Sequence, residues 1–286
     1  MAGELWLLYR DGDYAVNRDY AVMMREKGQA LGLDIRPVCL SRVLLTTDCE
    51  GRAGCLLDGA EAFPRAVLSR QRDAFVSAHF ERMGVPVFNN SRVCALCNDK
   101  RETHRFLSGL PQMPAVFYDG TSLAEPPVQG YPLAVKPARG HGGDRVRRVC
   151  TPCEWRDAAA EILPEPVLSQ KIASEAGRDL RIYVLFGKIL TGVMRTAPDG
   201  FLSNYKKGGS VCLHEPSAEE RELAGAVIRR FEEAGAPLCM AGIDLLYHEG
   251  RPVIGEVEDA VGSRMLYAVS GYDLAGLYLR GIAERL

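Results

Sequence analysis

The sequence predicts a mixed α/β and α+β chain, with a parallel α/β lobe at the N-terminus followed by lobes built on antiparallel strands. Three observations carry this. Over residues 1–90 short apolar runs alternate with stretches of helical spacing, the mark of a parallel sheet covered by helices. From Leu180 onward the runs lengthen and meet across tight turns, at Gly187-Lys188 and at His248 to Arg251, as hairpins do. Between these regions a strand ending at Lys136 breaks into Ala138-Arg139-Gly140-His141-Gly142-Gly143 and then returns.

The elements follow in order. Leu5 to Tyr9 is an apolar strand. Asp19 to Leu31 is a helix on the spacing of Tyr20, Met23, Met24, Lys27 and Leu31, and Asp34 to Leu40 is a second strand. Ala66 to Leu68 is a third strand, 73–83 a helix, and Val85 to Phe88 a fourth strand. Asn98 caps a helix running to Leu110. Leu133 to Lys136, Arg145 to Val149 and Val167 to Gln170 are strands, and Glu154 to Leu163 is a helix. Leu180 to Phe186 and Ile189 to Arg195 form a hairpin. Ser217-Ala218-Glu219-Glu220 is a capping box for a helix with Leu223, Val227, Ile228 and Phe231 on its apolar face. Ala241 to Tyr247 and Pro252 to Val257 form the last hairpin, and two short helices close the chain.

Composition excludes several classes. The 286 residues are 47% hydrophobic and 25% charged with a net charge of −2, so the chain has a globular core and no basic surface for nucleic acid. No apolar run approaches the roughly 18 residues of a membrane span, and Met1-Ala2-Gly3-Glu4 does not open a signal peptide. A cytoplasmic location follows as the expectation, with the nine cysteines as reduced thiols. Cys94-x-x-Cys97 and Cys150-x-x-Cys153 lie too far apart for the usual four-cysteine zinc spacing. The second pair reads instead as part of a helix start, Thr151-Pro152-Cys153-Glu154, with Thr as cap and Pro at the first helical position.

The chemistry is carried by acids. Glu256 and Glu258 are two apart on one strand and so project to one face, and Asp244, twelve residues before Glu256 across a tight turn, is brought opposite them. Three clustered carboxylates repel one another, and a divalent cation is the usual remedy. All-oxygen ligands suit magnesium, which also holds substrate phosphates. The strand to Lys136 and the glycines after it supply a matching cradle: backbone N–H groups that approach an anion closely, with a compact positive charge. The order of residues fits neither a Walker A loop nor a dinucleotide loop.

Taken together, these pieces resemble the ATP-grasp superfamily and, within it, the RimK-type amino-acid ligases. The resemblance runs in order over residues 89–275: Asn98-Asp99-Lys100; Ala134-Val135-Lys136-Pro137 with Gly140 to Gly143; Ser169-Gln170-Lys171-Ile172 with Gly177-Arg178-Asp179-Leu180-Arg181; Met194-Arg195, Asn204 and Gly208-Gly209; and Gly242-Ile243-Asp244-Leu245-Leu246 with Gly255-Glu256-Val257. It departs at one point, where Glu258 replaces the family's Asn and Asp259 follows. The resemblance implies an ATP-grasp fold of three lobes, 1–92, 93–170 and 171–286, with ATP clasped between the last two. It implies ATP and Mg2+ as cofactors, two ions, with Mn2+ as a substitute. Asp244, Glu256 and Glu258 would hold the metal. Lys100, Lys136, Gly142 and Gly143 would meet phosphates, and Gln170, Lys171 and Ile172 adenine, with Glu175 or Asp179 near the ribose. Arg181, Arg195 and Asn204 would face the reacting groups.

The implied activity is ATP-dependent, ADP-forming ligation of a small-molecule carboxylate and an amine, on an amino acid or peptide, through an acyl phosphate. Two rivals stand beside it: an ATP-grasp kinase acting on a small hydroxyl substrate, and a non-catalytic nucleotide-binding regulator. Plainer roles exist for single residues: Lys100 as a solvated charge at a helix start, Arg181 paired with Asp179 on the surface, Asn204 as a turn residue. Arg70 and Arg72, just past a strand end, are candidates for a substrate carboxylate, with surface arginines as the plainer reading.

Overall fold

The computed structural model describes residues 3–121, 129–197 and 209–286. It opens with β1 (Leu5–Tyr9), α1 (Asp11–Val16), α2 (Arg18–Ala30) and β2 (Ile35–Cys39). Three strands that the sequence reading did not anticipate follow: β3 (Val43–Thr47), β4 (Ala53–Leu57) and β5 (Ala60–Glu61), an antiparallel sheet of their own. Their inward residues Val43, Cys55 and Leu57 join Trp6, Val76 and Phe80 in one core. β6 (Ala66–Ser69), α3 (Ala74–Arg82) and β7 (Val87–Phe88) complete a parallel sheet of order β2-β1-β6-β7. β1 lies inside this sheet, and all five of its residues are buried, which is why it reads as an unbroken apolar run rather than an alternating one.

The single helix expected from Asn98 is two helices, α4 (Ser91–Cys97) and α5 (Lys100–Phe106). Asn98 ends the first: its amide nitrogen donates to Cys94 O and to Asp259 Oδ1. Asp99 starts the second by accepting the Arg101 N–H. Both residue types cap helices, and the side chain of Asn98 turns back toward α4 instead of forward.

β8 (Ala115–Tyr118), β9 (Leu133–Pro137), β10 (Arg147–Val149), α6 (Pro152–Ile162) and β11 (Val167–Lys171) form the central unit, a sheet of order β10-β9-β11-β8. α6 buries Trp155, Ala158, Ala159 and Ile162 against Leu133, Val135 and Val149. Thr151 accepts the Glu154 N–H at 3.2 Å, but the Glu154 carboxylate accepts the Cys150 N–H at 2.6 Å, one residue beyond the Thr151 N–H that a full capping box would use. Cys94 and Cys97 are buried in α4, whereas Cys150 and Cys153 are exposed at the start of α6.

The C-terminal sheet contains β12 (Arg178–Leu185), β13 (Lys188–Thr196), β14 (Ser210–His214), β15 (Met240–His248) and β16 (Arg251–Glu258), in the order β14-β13-β12-β15-β16. α7 (Ala218–Glu233) starts with the expected capping box. Its Leu223, Val227, Ile228 and Phe231 pack under Leu180, Ile182, Ile243, Leu245 and Val257. Because strand side chains alternate, Asp179, Arg181, Arg195, Asp244, Glu256 and Glu258 all belong to the opposite face. α8 (Arg264–Val269) and α9 (Leu274–Ala283) end the chain, and α9 packs Leu274, Leu279 and Ile282 into the core of the parallel sheet with Leu5, Leu7 and Met24. Among the described residues no helix is long and apolar enough to cross a membrane.

Candidate active site

The acidic cluster depends on a turn and a bulge. Glu249 and Gly250 connect β15 to β16 with φ of 52° and 77°, the positive values a two-residue hairpin turn favours. His248 then pairs with Arg251 and Leu245 with Ile254, after which the register shifts so that Asp244 faces Glu256 and Gly242 faces Glu258. Gly255 is the extra residue. Were Gly255 paired regularly with Asp244 instead of bulged, Glu256 would stand opposite Ile243, on the face that packs against α7. With the bulge, oxygens of Asp244, Glu256 and Glu258 lie within 4.8 Å of one another.

Cationic side chains of the same sheet face answer these acids. Arg181 Nε and Nη2 donate to the two oxygens of Asp244 at 2.7 Å each, and Nη2 stands 2.9 Å from Glu258 Oε1. Arg195 Nη2 donates to Asp244 Oδ2 at 2.7 Å and to Asp179. Lys100 Nζ lies 3.4 Å from Glu256. The surface pair of Arg181 with Asp179 is therefore not formed. Residues two apart on a strand are nearly 7 Å apart along it, whereas cross-strand partners are about 5 Å apart. Arg181 is opposite Asp244 and Arg195 is opposite Asp179, so each arginine takes the acid across from it. Gly242 makes room for Val261 beside this crossing: a Cβ there would stand 2.7 Å from Val261, and at an ordinary contact distance of 3.4 Å from Arg181 Cδ and Nε.

Burial pushes the Asp244 carboxyl up, but the guanidinium groups of Arg181 and Arg195 outweigh it and hold the carboxyl well below the usual range. For Glu258 burial prevails. With Asp244 and Glu256 as neighbours, its pKa is raised despite Arg181. Three guanidinium contacts occupy most of the four lone-pair positions of Asp244. Glu256 keeps more freedom, since among the described residues Lys100 alone is paired with it.

The central sheet contributes the lysines. Lys136 Nζ on β9 donates to Gln170 Oε1 on β11 at 2.8 Å. Burial first, and then the nearby Lys100, lowers the Lys136 pKa to about 8 against the opposing charge of Glu256. Lys100 Nζ also donates to Gly140 O at 2.8 Å, which ties the start of the glycine loop to the acids through Glu256. Gly142 and Gly143 follow with φ of 68° and 73°. Lys171 Nζ reaches Gly130 O at 3.2 Å, and past Ile172 the Glu175 N–H donates to Tyr247 O at 3.2 Å. Glu175 pairs with Arg178 at 3.1 Å. Asn204 and Gly208 lie outside the described residues.

Two tethers of this site escaped the sequence reading. Asn89 is 4% exposed. Its Nδ2 donates to Met240 O and Asp259 O at 2.9 and 2.8 Å, and its Oδ1 accepts the Cys239 N–H at 2.6 Å. It thereby fastens both strands of the acidic hairpin, at their common end, to the parallel sheet. Asn98 holds the Asp259 side chain. An Asn after an apolar strand has the same sequence signature as a turn residue, so burial alone reveals the role of Asn89.

Comparison with known proteins bears on this geometry. The RimK-like ATP-grasp domain family matches residues 119–282. The chain is 28% identical to human beta-citrylglutamate synthase B over 303 aligned positions, covering 97% of this chain and 76% of that protein. It is 32% identical to a protein of Methanococcoides burtonii named "Probable alpha-L-glutamate ligase", covering 74% of this chain and 71% of the other. The crystal structure of D-cycloserine synthetase DcsG superposes with a TM-score of 0.75 at 19% identity over 99% of both chains, a likeness of fold. With its lysine strand, glycine loop and acidic hairpin in the expected order, the chain belongs to the RimK-like ATP-grasp family.

Proposed function

We propose that this chain is an ATP-dependent, ADP-forming ligase of the cytoplasm that joins a carboxylate to an amine on an amino acid or peptide, with lobes 1–92, 93–170 and 171–286. The observation that carries this reading is the convergence of Asp244, Glu256 and Glu258 beside Arg181, Arg195 and Lys100. Such an oxygen-only donor set suits magnesium, with two ions in this reading and manganese as a substitute. ATP supplies a phosphoryl group that converts a carboxylate oxygen into a leaving group, giving an acyl phosphate open to an amine.

The chain's own residues position and neutralise. Lys136 and Lys100 set positive charge where phosphates would lie, and Gln170 aims the Lys136 ammonium. Arg195 has a buried Nε with no partner among the described residues, a donor free for a reacting oxygen, and the planar fork of Arg181 keeps Asp244 oriented. Asn204 would join them. Lys171 and Ile172 would flank adenine. Glu175 suits the ribose better than Asp179, which is 4% exposed and bound to Arg195. Gly142 and Gly143 would bring backbone N–H groups to phosphate and help the loop exclude water. A screen of amino acids and small carboxylic acids for stimulated ADP release tests the reading. ADP release with no acid–amine pair would count against it.

Two expected results arise from the local electrostatics. The depressed Lys136 pKa means that above pH 8 the ligand-free protein holds this lysine neutral, while phosphates favour its charged form. ATP binding at pH 8.5 should take up protons, seen by calorimetry in two buffers of different ionisation enthalpy, and affinity should fall as pH rises past 8. The same shift makes folding stability rise between pH 8 and the ordinary lysine value of 10.5, because there the unfolded chain binds the extra proton. No buffer dependence at pH 8.5 would place Lys136 away from the nucleotide. Glu258→Asn restores the family's usual residue and removes the acid with the raised pKa. It should raise the magnesium requirement and change the maximal rate by less than about tenfold, roughly 1.4 kcal/mol. A fully inactive variant would give Glu258 a role beyond ligation.

A further inference from the structure

The small antiparallel sheet near the N-terminus ends on an unguarded edge. Its order is β3-β4-β5, and among the described residues no strand pairs with the far side of β3. Other edges of this chain carry features that block the addition of a strand. β2 holds Arg36 and Pro37, β10 holds Arg147 and Arg148, and the Ile254 N–H of β16 is taken by Pro111 O. β5 is two residues long, with Pro64 soon after it. β3 is Val-Leu-Leu-Thr-Thr, with no charge, no proline, no glycine and no shift of register.

The groups that this edge offers follow from its pairing with β4. The Asp58 N–H donates to Arg42 O and the Asp48 N–H to Arg52 O. Residues 42, 44, 46 and 48 therefore bond toward β4, and the backbone groups of 43, 45 and 47 turn outward. Leu40 O takes the Val43 N–H. The N–H groups of Leu45 and Thr47 and the carbonyls of Val43, Leu45 and Thr47 are left facing away from the sheet. Side chains alternate as well. Val43, Cys55 and Leu57 point into the core, so Arg42, Leu44, Thr46 and Asp48 lie on the opposite face, where Leu44 is 59% exposed. Beside them on β4 stand Asp58, Leu56, Gly54 and Arg52. Arg42 pairs with Asp58, and Arg52 pairs with Asp48 at 2.6 Å.

We propose that β3 is the edge by which two copies of this chain associate, strand against antiparallel strand, about a two-fold axis at Leu45. The inference is independent of the ligase reading. In this register the two Leu45 residues exchange both backbone hydrogen bonds, and each Thr47 N–H reaches Val43 O of the partner subunit. Arg42 comes opposite Asp48 of the partner subunit, and Leu44 opposite Thr46 of the partner subunit. Each outer row across the four strands then alternates in charge, from Asp58 through Arg42 to Asp48 and Arg52 of the partner subunit, which favours pairing. The inner rows bring the exposed Leu44 under cover. A slide of two residues in either direction takes Arg42 away from that acid. Pairing uses the one β3 edge of each copy, so the assembly closes at two.

Sedimentation equilibrium on the full chain at about 100 micromolar, a concentration suited to a small interface, reads the oligomeric state. The wild type should be a dimer. Thr47→Pro removes an outward N–H, and Leu44→Lys sets a charge on the exposed face of the edge strand. Each should weaken dimerisation at least about tenfold, about 1.4 kcal/mol. Thr47→Val keeps the N–H and should remain dimeric. The register is read from a Leu44→Cys/Thr46→Cys double variant treated with a small-molecule disulfide as oxidant. Position 44 of one copy and position 46 of the other form a non-hydrogen-bonded pair, about 4.5 Å apart at Cα, which a disulfide spans. The same two positions within one strand are nearly 7 Å apart. Peptide mass spectrometry should therefore find the 44–46 link only in covalent dimers. A wild type that is monomeric at this concentration, a dimer unmoved by both Thr47→Pro and Leu44→Lys, or a dimer whose double variant forms no 44–46 link overturns the proposal. Leu44→Lys, at an exposed position, decides the matter alone if Thr47→Pro does not fold.

Discussion

Asp244→Asn should abolish ADP formation, by about a thousandfold or more, equivalent to roughly 4 kcal/mol in the barrier. The same change should lower stability by about 3–5 kcal/mol, because it leaves the buried guanidinium groups of Arg181 and Arg195 short of the carboxylate that both contact. The two effects separate experimentally. Urea unfolding reports the second, and turnover measured well below the unfolding midpoint reports the first. Glu256→Gln, whose one ion pair among the described residues is to Lys100, should lose comparable activity with a smaller stability cost. Were Asp244→Asn to retain activity within tenfold of wild type, the acidic cluster would be an ion-pair network and not a metal site.

Lys136→Met should remove most of the stabilisation by ATP. If the variant binds ATP about a hundredfold more weakly, then at one hundred times the wild-type Kd the nucleotide contributes about 2.7 kcal/mol to the wild type and about 0.4 kcal/mol to the variant. The ligand-free variant should itself be more stable than wild type at pH 7, since the native chain must hold a protonated lysine whose pKa burial has lowered to about 8. A thermal melt with and without ATP and magnesium measures both. Equal ATP-induced shifts in the two proteins would take Lys136 out of the phosphate site.

The acids were legible in the sequence because strand alternation and a tight turn put them on one face, but their exact partners required the bulge. A two-residue turn at Glu249-Gly250 with regular pairing sets Asp244 opposite Gly255, and only the register shift brings Glu256 across. The arginine pairings were not legible, since chain proximity favours Asp179 for Arg181 while sheet register assigns it Asp244. Repulsion among the three acids argued for a cation, and the fold also supplies Arg181, Arg195 and Lys100 as partners. The parallel sheet was readable from its apolar runs. β3, β4 and β5 were not, because exposed Leu44 and half-buried Ala53, Gly54 and Leu56 blur their alternation. The helix break at Asn98-Asp99 fell between two residues that both favour caps, and Asn98 turned back to hold Asp259.

The central claim is that a carboxylate is activated by phosphorylation and then captured by an amine. Its most direct test is a single turnover with the substrate carboxylate labelled with oxygen-18, followed by mass spectrometry of the phosphate and the organic product. The account expects one labelled oxygen to pass from the carboxylate to inorganic phosphate for each amide formed, with ADP as the nucleotide product. Unlabelled phosphate, or phosphate retained as an ester on the organic product, would contradict it.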